Sequence, residues 1–77
     1  MQQEEINKII SEIILKQHQS GLLYITNLTL SNKIAKPTYI LEKIEKYIII
    51  VEINSSKKLI VEISDIMEIE PVYLEID

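Results

Sequence analysis

The segment Tyr39–Glu70, YILEKIEKYIIIVEINSSKKLIVEISDIMEIE, constrains the fold most, because two runs of β-branched residues flank one polar turn. Tyr47–Ile53 and Leu59–Ile63 are rich in isoleucine and valine, which suit a pleated, half-buried surface. Between them, Asn54-Ser55-Ser56-Lys57-Lys58 supplies small polar residues of the kind turns use. The pattern predicts a β-hairpin. If Ile53 faces Leu59, then Val51 faces Val61 and Ile49 faces Ile63. One face then carries Tyr47, Ile49, Val51, Ile53, Leu59, Val61 and Ile63 and is the expected core. The opposite face carries Ile48, Ile50 and Ile60 with Glu52 and Glu62. A solvated sheet face is mostly polar. This one is half apolar and requires a cover: the N-terminal helix, another subunit or a partner protein.

Upstream, Gln3–Gln17 predicts a helix. Ile6, Ile9, Ile10, Ile13 and Ile14 recur at the spacing of one amphipathic stripe. Glu4 and Glu5 suit its positive N-terminal end, Lys16 and His18 its negative C-terminal end. Gly21, the only glycine, is a suitable left-handed stop. Leu22–Leu30 reads as a strand, apolar on both sides, and Ser31–Pro37 as a loop whose proline excludes a central strand position. Thr38–Lys46 fits two templates. Ile40, Leu41, Ile44, Tyr47 and Ile48 make a helical stripe, while Ile40 and Ile44 also share one strand face. After the hairpin, Ser64-Asp65 is a short turn and Ile66–Glu70 a last strand ended by Pro71. Val72–Asp77 alternates in the manner of an edge strand open to another chain.

Composition narrows the functional classes. At 77 residues the chain reads as one domain, with a β-rich part at about residues 22–76. It has no cysteine, which excludes disulfides and thiolate metal sites. The hydrophobic share is 47%, dominated by isoleucine, more than so small a sphere readily hides. The start, Met-Gln-Gln-Glu-Glu, lacks the character of a secretory signal, and the apolar run Tyr47–Val51 is too short to span a bilayer. A cytoplasmic protein with no membrane association is the expectation. Net charge is −4 and all basic residues are lysine. An acidic chain without arginine repels a phosphate backbone and lacks its usual bidentate reader.

The order of helix, strands, closing hairpin, short turn and Asp65-Ile66-Met67-Glu68-Ile69 resembles the small SH3-like and Sm-like β-barrels. Lys43-Ile44-Glu45-Lys46-Tyr47, the hairpin and Ser64–Glu70 are also similar to bacterial and phage YolD-like proteins, a likeness running from about Leu22 to Glu70. The resemblance favours a strand over a helix at Thr38–Lys46. It implies an α+β fold: an N-terminal amphipathic helix, then a small bent antiparallel sheet or barrel. Glu42 stands where Sm-like proteins usually carry a glycine. Glu45-Lys46-Tyr47 and Val61-Glu62-Ile63 stand where their RNA pocket usually draws on an aspartate and a basic residue–glycine pair.

The chemistry-bearing residues are sparse. His18 has no ligand or acid–base partner in sequence, and a polar residue near a helix end accounts for it. Ser64-Asp65 lacks a nucleophile elbow. Glu68 and Glu70 share a strand face, but solubilising charge explains them as well as a cation does. No catalytic residue, metal or cofactor is expected. For nucleic acid the candidates are Lys33, Lys36, Lys57 and Lys58, with tyrosines as stacking surfaces. For protein contact they are Ile48, Ile50, Glu52, Ile60, Glu62 and Tyr73. The sequence thus points to a non-enzymatic module that self-associates or binds a protein, an accessory subunit or small phage- or virus-type effector. An Sm-like RNA-binding ring is the alternative.

Overall fold

The computed structural model describes residues 1–31 and 34–72. Helix α1 (Gln3–Ser20) precedes strands β1 (Ile25–Leu30), β2 (Lys36–Ile44), β3 (Tyr47–Glu52), β4 (Lys58–Glu62) and β5 (Ile66–Val72). A 3-10 turn, Ile63–Asp65, links β4 to β5. The strands form one antiparallel sheet in the order β4-β3-β2-β1-β5. The chain is therefore α+β, a helix followed by an open five-stranded sheet, with β4 and β5 at its edges.

The helix forms where its stripe implies and runs one turn further, to Ser20. Gly21 adopts φ 72° and donates its N–H to the Gln17 carbonyl at 2.8 Å. That left-handed stop is the conformation glycine adopts at no steric cost. Ile6, Ile10 and Ile13 are fully buried, with Ile9 and Ile14 packed at the margin. α1 lies against β2, β5 and the 3-10 turn. Its isoleucines join Leu28, Ile40, Ile48, Ile50, Val61, Ile63, Ile66 and Ile69 in one core. Each such side chain contributes roughly 1.5–3 kcal/mol on burial.

The hairpin forms with the expected β4 face, Leu59, Val61 and Ile63 inward and Ile60 outward, but the two faces of β3 are exchanged relative to expectation. Ile50 pairs with Leu59, Ile49 with Ile60, Ile48 with Val61 and Tyr47 with Glu62. Ile53 does not face Leu59, because it belongs to the turn, where its N–H reaches the Pro37 carbonyl at 3.1 Å. The loop closes between Glu52 and Lys57, with Ser56 at φ 58°. Changing the parity of β3 against β4 moves every β3 side chain to the other face and leaves those of β4 where they were expected. Ile48 and Ile50, expected on the surface, are therefore core residues at 0% and 1% exposure, in the same buried cluster as the helix isoleucines.

Thr38–Ile44 is strand, and Glu45-Lys46 forms a two-residue turn that brings Ile44 opposite Tyr47. Glu45 takes φ 54°, a conformation more at home with glycine or asparagine. The β2–β3 register shifts between Ile40 and Glu42, leaving Leu41 as the extra residue. This bulge corrects the expectation that Ile40 and Ile44 share a face: Ile40 points into the core and Ile44 outward.

Both prolines sit inside strands, contrary to their reading as strand breakers. Pro37 is the second residue of β2, the central strand. The N–H and C=O of a strand residue point the same way. Pro37 directs its carbonyl to Ile53, so its missing donor also faces the turn beyond the end of β3, where no ladder bond is lost. Pro71 lies within β5 opposite Thr26, on an edge strand that tolerates it.

One polar residue joins helix and sheet. Gln17 continues the buried stripe of Ile6, Ile10 and Ile13. Its Nε2 donates to the Ile40 carbonyl at 2.8 Å, and its Oε1 accepts the Tyr24 N–H at 3.1 Å. In the register that pairs Ile25 with Tyr39, Tyr24 and Ile40 would form the next rung of the β1–β2 ladder. The glutamine carboxamide takes the place of that rung, where β1 departs toward Gly21 and β2 bulges.

Candidate interaction surface

Away from the helix, the sheet presents an outer face that its registers order into rows. Lys58, Val51, Tyr39, Ile25 and Val72 form the first, crossing all five strands. Ile60, Ile49 and Glu42 form the second, and Glu62, Tyr47 and Ile44 the third. Ile60 is 73% exposed, Ile44 49% and Tyr47 37%, while Ile49, Val51 and Tyr39 are half-buried among them. The β2–β3–β4 half of this face is thus an isoleucine-rich surface over which no element packs among the described residues. The β1–β5 half is polar, with Glu70 opposite Asn27 and Glu68 opposite Thr29.

Charge sits at the margins. Lys46 Nζ lies 3.7 Å from Glu62 Oε1 and 5.6 Å from the centre of the Tyr47 ring. On the other side of the sheet, Lys36 Nζ lies 3.6 Å from Glu52 Oε2. Exposed pairs of this kind contribute little to stability, about 0–1 kcal/mol.

The sequence-proposed residues therefore separate. Ile60 and Glu62 remain on the outer face; Ile48 and Ile50 are in the core. Glu52 points to the core side, at the rim of a small cleft of about 40 Å³ that Thr38, Ile50 and Leu59 also line. Tyr73 and Lys33 lie outside the described residues. In place of Ile48 and Ile50, the outer face exposes Ile44, Tyr47, Ile49 and Val51, residues the assumed register had buried.

Lys36, Lys57 and Lys58 gather at the β3–β4 turn end, but Lys36 is paired with Glu52. Tyr47 lies at the opposite end of the hairpin, beside Glu62. Only Tyr39 shares a row with Lys58, with Val51 between them. The expected lysine–tyrosine site is not assembled as one pocket among the described residues. His18 lines a shallow apolar depression of about 220 Å³ with Leu22, Leu23 and Leu41. Among the described residues no three His, Asp or Glu side chains converge as a metal site, and no helix is long and apolar enough to cross a membrane.

Two polar residues carry structural weight that the sequence reading passed over. One is Gln17, detectable as a polar member of an otherwise apolar stripe. The other is Thr38, whose buried hydroxyl donates to the Thr26 carbonyl at 2.9 Å, while the Thr26 hydroxyl is buried with no hydrogen-bond partner among the described residues. Comparison of the chain with family models, curated proteins and solved structures finds no match to any of them.

Proposed function

We propose that this protein is a non-enzymatic interaction module that binds protein through the outer face of β2, β3 and β4. It acts in the cytoplasm as an accessory subunit or a small phage- or virus-type effector. The observation that carries this reading is the unpacked surface of Ile44, Tyr47, Ile49 and Ile60 on an otherwise charged molecule. Apolar residues at the centre of a contact supply its driving force, and charges at the rim select the partner. Glu42 and Glu62 lie in the rows of the patch itself and favour a partner with a basic margin.

The test is site-directed photo-crosslinking in cells, with the crosslinker at Ile44, at Ile49 or, as a control, at Glu12 on the exposed side of α1. A discrete protein adduct is expected from the sheet positions only, and Glu42→Lys should weaken it. Equal adducts from sheet and control positions would remove the reading. Adducts to RNA would favour the ring alternative, which Lys57 and Lys58 and the two open sheet edges would serve.

A further inference from the structure

We infer that β4 docks a second copy of this chain, antiparallel to its own β4 about a two-fold axis through Ile60. This rests on the reading of the outer face as a contact surface and names its occupant. The argument begins with the direction of the backbone groups. Glu52 donates its N–H to the Lys57 carbonyl, and Ile63 donates to the Lys46 carbonyl, each at 2.9 Å. Residues of a strand alternate in the side to which both their N–H and C=O point. Lys57, Leu59, Val61 and Ile63 therefore turn toward β3, and Lys58, Ile60 and Glu62 turn away from it. Since β4 ends the sheet order, these three present their donors and acceptors at an edge that no strand of the described residues pairs. A groove of about 440 Å³ flanks that edge, lined by Leu59–Glu62 together with Leu30, Ser31 and Asp65.

The side chains on this edge are self-complementary. With Ile60 opposite the partner's Ile60, Lys58 falls opposite the partner's Glu62, and Glu62 opposite the partner's Lys58. All three are edge-facing residues, so each opposed pair can exchange both backbone hydrogen bonds. A two-fold contact requires this kind of reciprocity, in which one patch matches itself. Lys58 takes part in neither ion pair among the described residues, and Glu62 holds only a long contact to Lys46. The pairing would continue the Ile60–Ile49 row into the same row of the second copy. The opposite edge is less suited, because β5 carries Pro71 and a register shift between Thr29 and Leu30 in its ladder with β1. Proline and bulges are features that obstruct strand addition.

The experiment is light scattering coupled to size exclusion across a wide concentration range, on the full chain and its charge variants. The unmodified chain should pass from monomer to dimer. Lys58→Glu and Glu62→Lys each place like charges together twice per dimer and should weaken it about tenfold or more. An equimolar mixture of the two variants, and the double variant Lys58→Glu/Glu62→Lys, should recover dimerisation. Circular dichroism confirms that each variant is folded, and Lys46→Ala should leave the dimer intact. A monomer at all concentrations, a ring of five or more chains, or a mixture no better than the single variants overturns the inference. If the chain is monomeric yet Ile44 and Ile49 still crosslink to a different protein, this inference fails and the contact reading stands. Loss of both results removes the reading as well.

Discussion

The two faces of the β3–β4 hairpin are built from nearly the same residues and meet opposite ends. Ile48, Ile50, Leu59 and Val61 face the core that the helix isoleucines share; Tyr47, Ile49, Val51 and Ile60 face away from it. Hydrophobicity does not separate the two sets. The difference is geometric: one helix can cover only one side of a sheet, and the turn length decides which side receives it. An apolar residue outside a core is therefore not misplaced here. It is what remains when a chain rich in isoleucine has only one helix with which to cover two apolar faces.

The widest gap between the faces should appear on truncation. Ile48→Ala or Ile50→Ala should cost about 2–5 kcal/mol of unfolding free energy, the range for a buried isoleucine whose site collapses incompletely. Ile60→Ala should stay within about 0.5 kcal/mol, as exposed substitutions do. Urea denaturation of the variants side by side measures both. Equal losses at Ile48 and Ile60 would mean that the assigned register is wrong. Gln17 sharpens the contrast, because a polar group on the inner face costs stability unless it is paired. Gln17→Ala deletes the hydrogen bonds to the Ile40 carbonyl and from the Tyr24 N–H and should cost about 2–3 kcal/mol. Hydrogen exchange should quicken at Tyr24 before it quickens in β3.

Smaller effects follow from local strain. Thr26→Val removes a buried hydroxyl that has no partner among the described residues and should raise stability by about 1 kcal/mol. Thr38→Val, which deletes a formed bond to the Thr26 carbonyl, should not share that gain. At the β2–β3 turn, Glu45→Gly relieves a left-handed residue of its Cβ. It should add up to about 1 kcal/mol, reduced by the greater freedom of glycine in the unfolded chain. A loss at this position would show that the Glu45 side chain has a role of its own on the outer face. Differential scanning calorimetry ranks these three variants.

Much of the fold is legible from local pattern. The Ile6–Ile10–Ile13 spacing and Gly21 specify the helix and its stop, and the β-branched runs around Asn54-Ser55-Ser56 specify a hairpin. The contact surface was legible only in part. Ile60 and Glu62 were placed outside in the assumed register as well as in the observed one. Ile48 and Ile50 were exchanged with Ile49 and Val51, because with both faces apolar the alternation carries no sign. Pro37 misled for a related reason: a proline breaks a ladder only if its missing donor faces a partner, which depends on where the neighbouring strand ends.

The sequence by itself determined that this chain makes one amphipathic helix and a β-rich remainder, and that it holds more isoleucine than a small core consumes. Those properties reside in periodicity, turn chemistry and composition, which are local. The tertiary structure alone decided which hairpin face is buried, where β2 bulges, that Gln17 replaces a ladder rung and that β4 is left as an open edge. Each depends on the relative placement of segments far apart in the chain. Strand parity has a period of two, so a single residue taken up by a turn or a bulge reverses the outcome for everything beyond it.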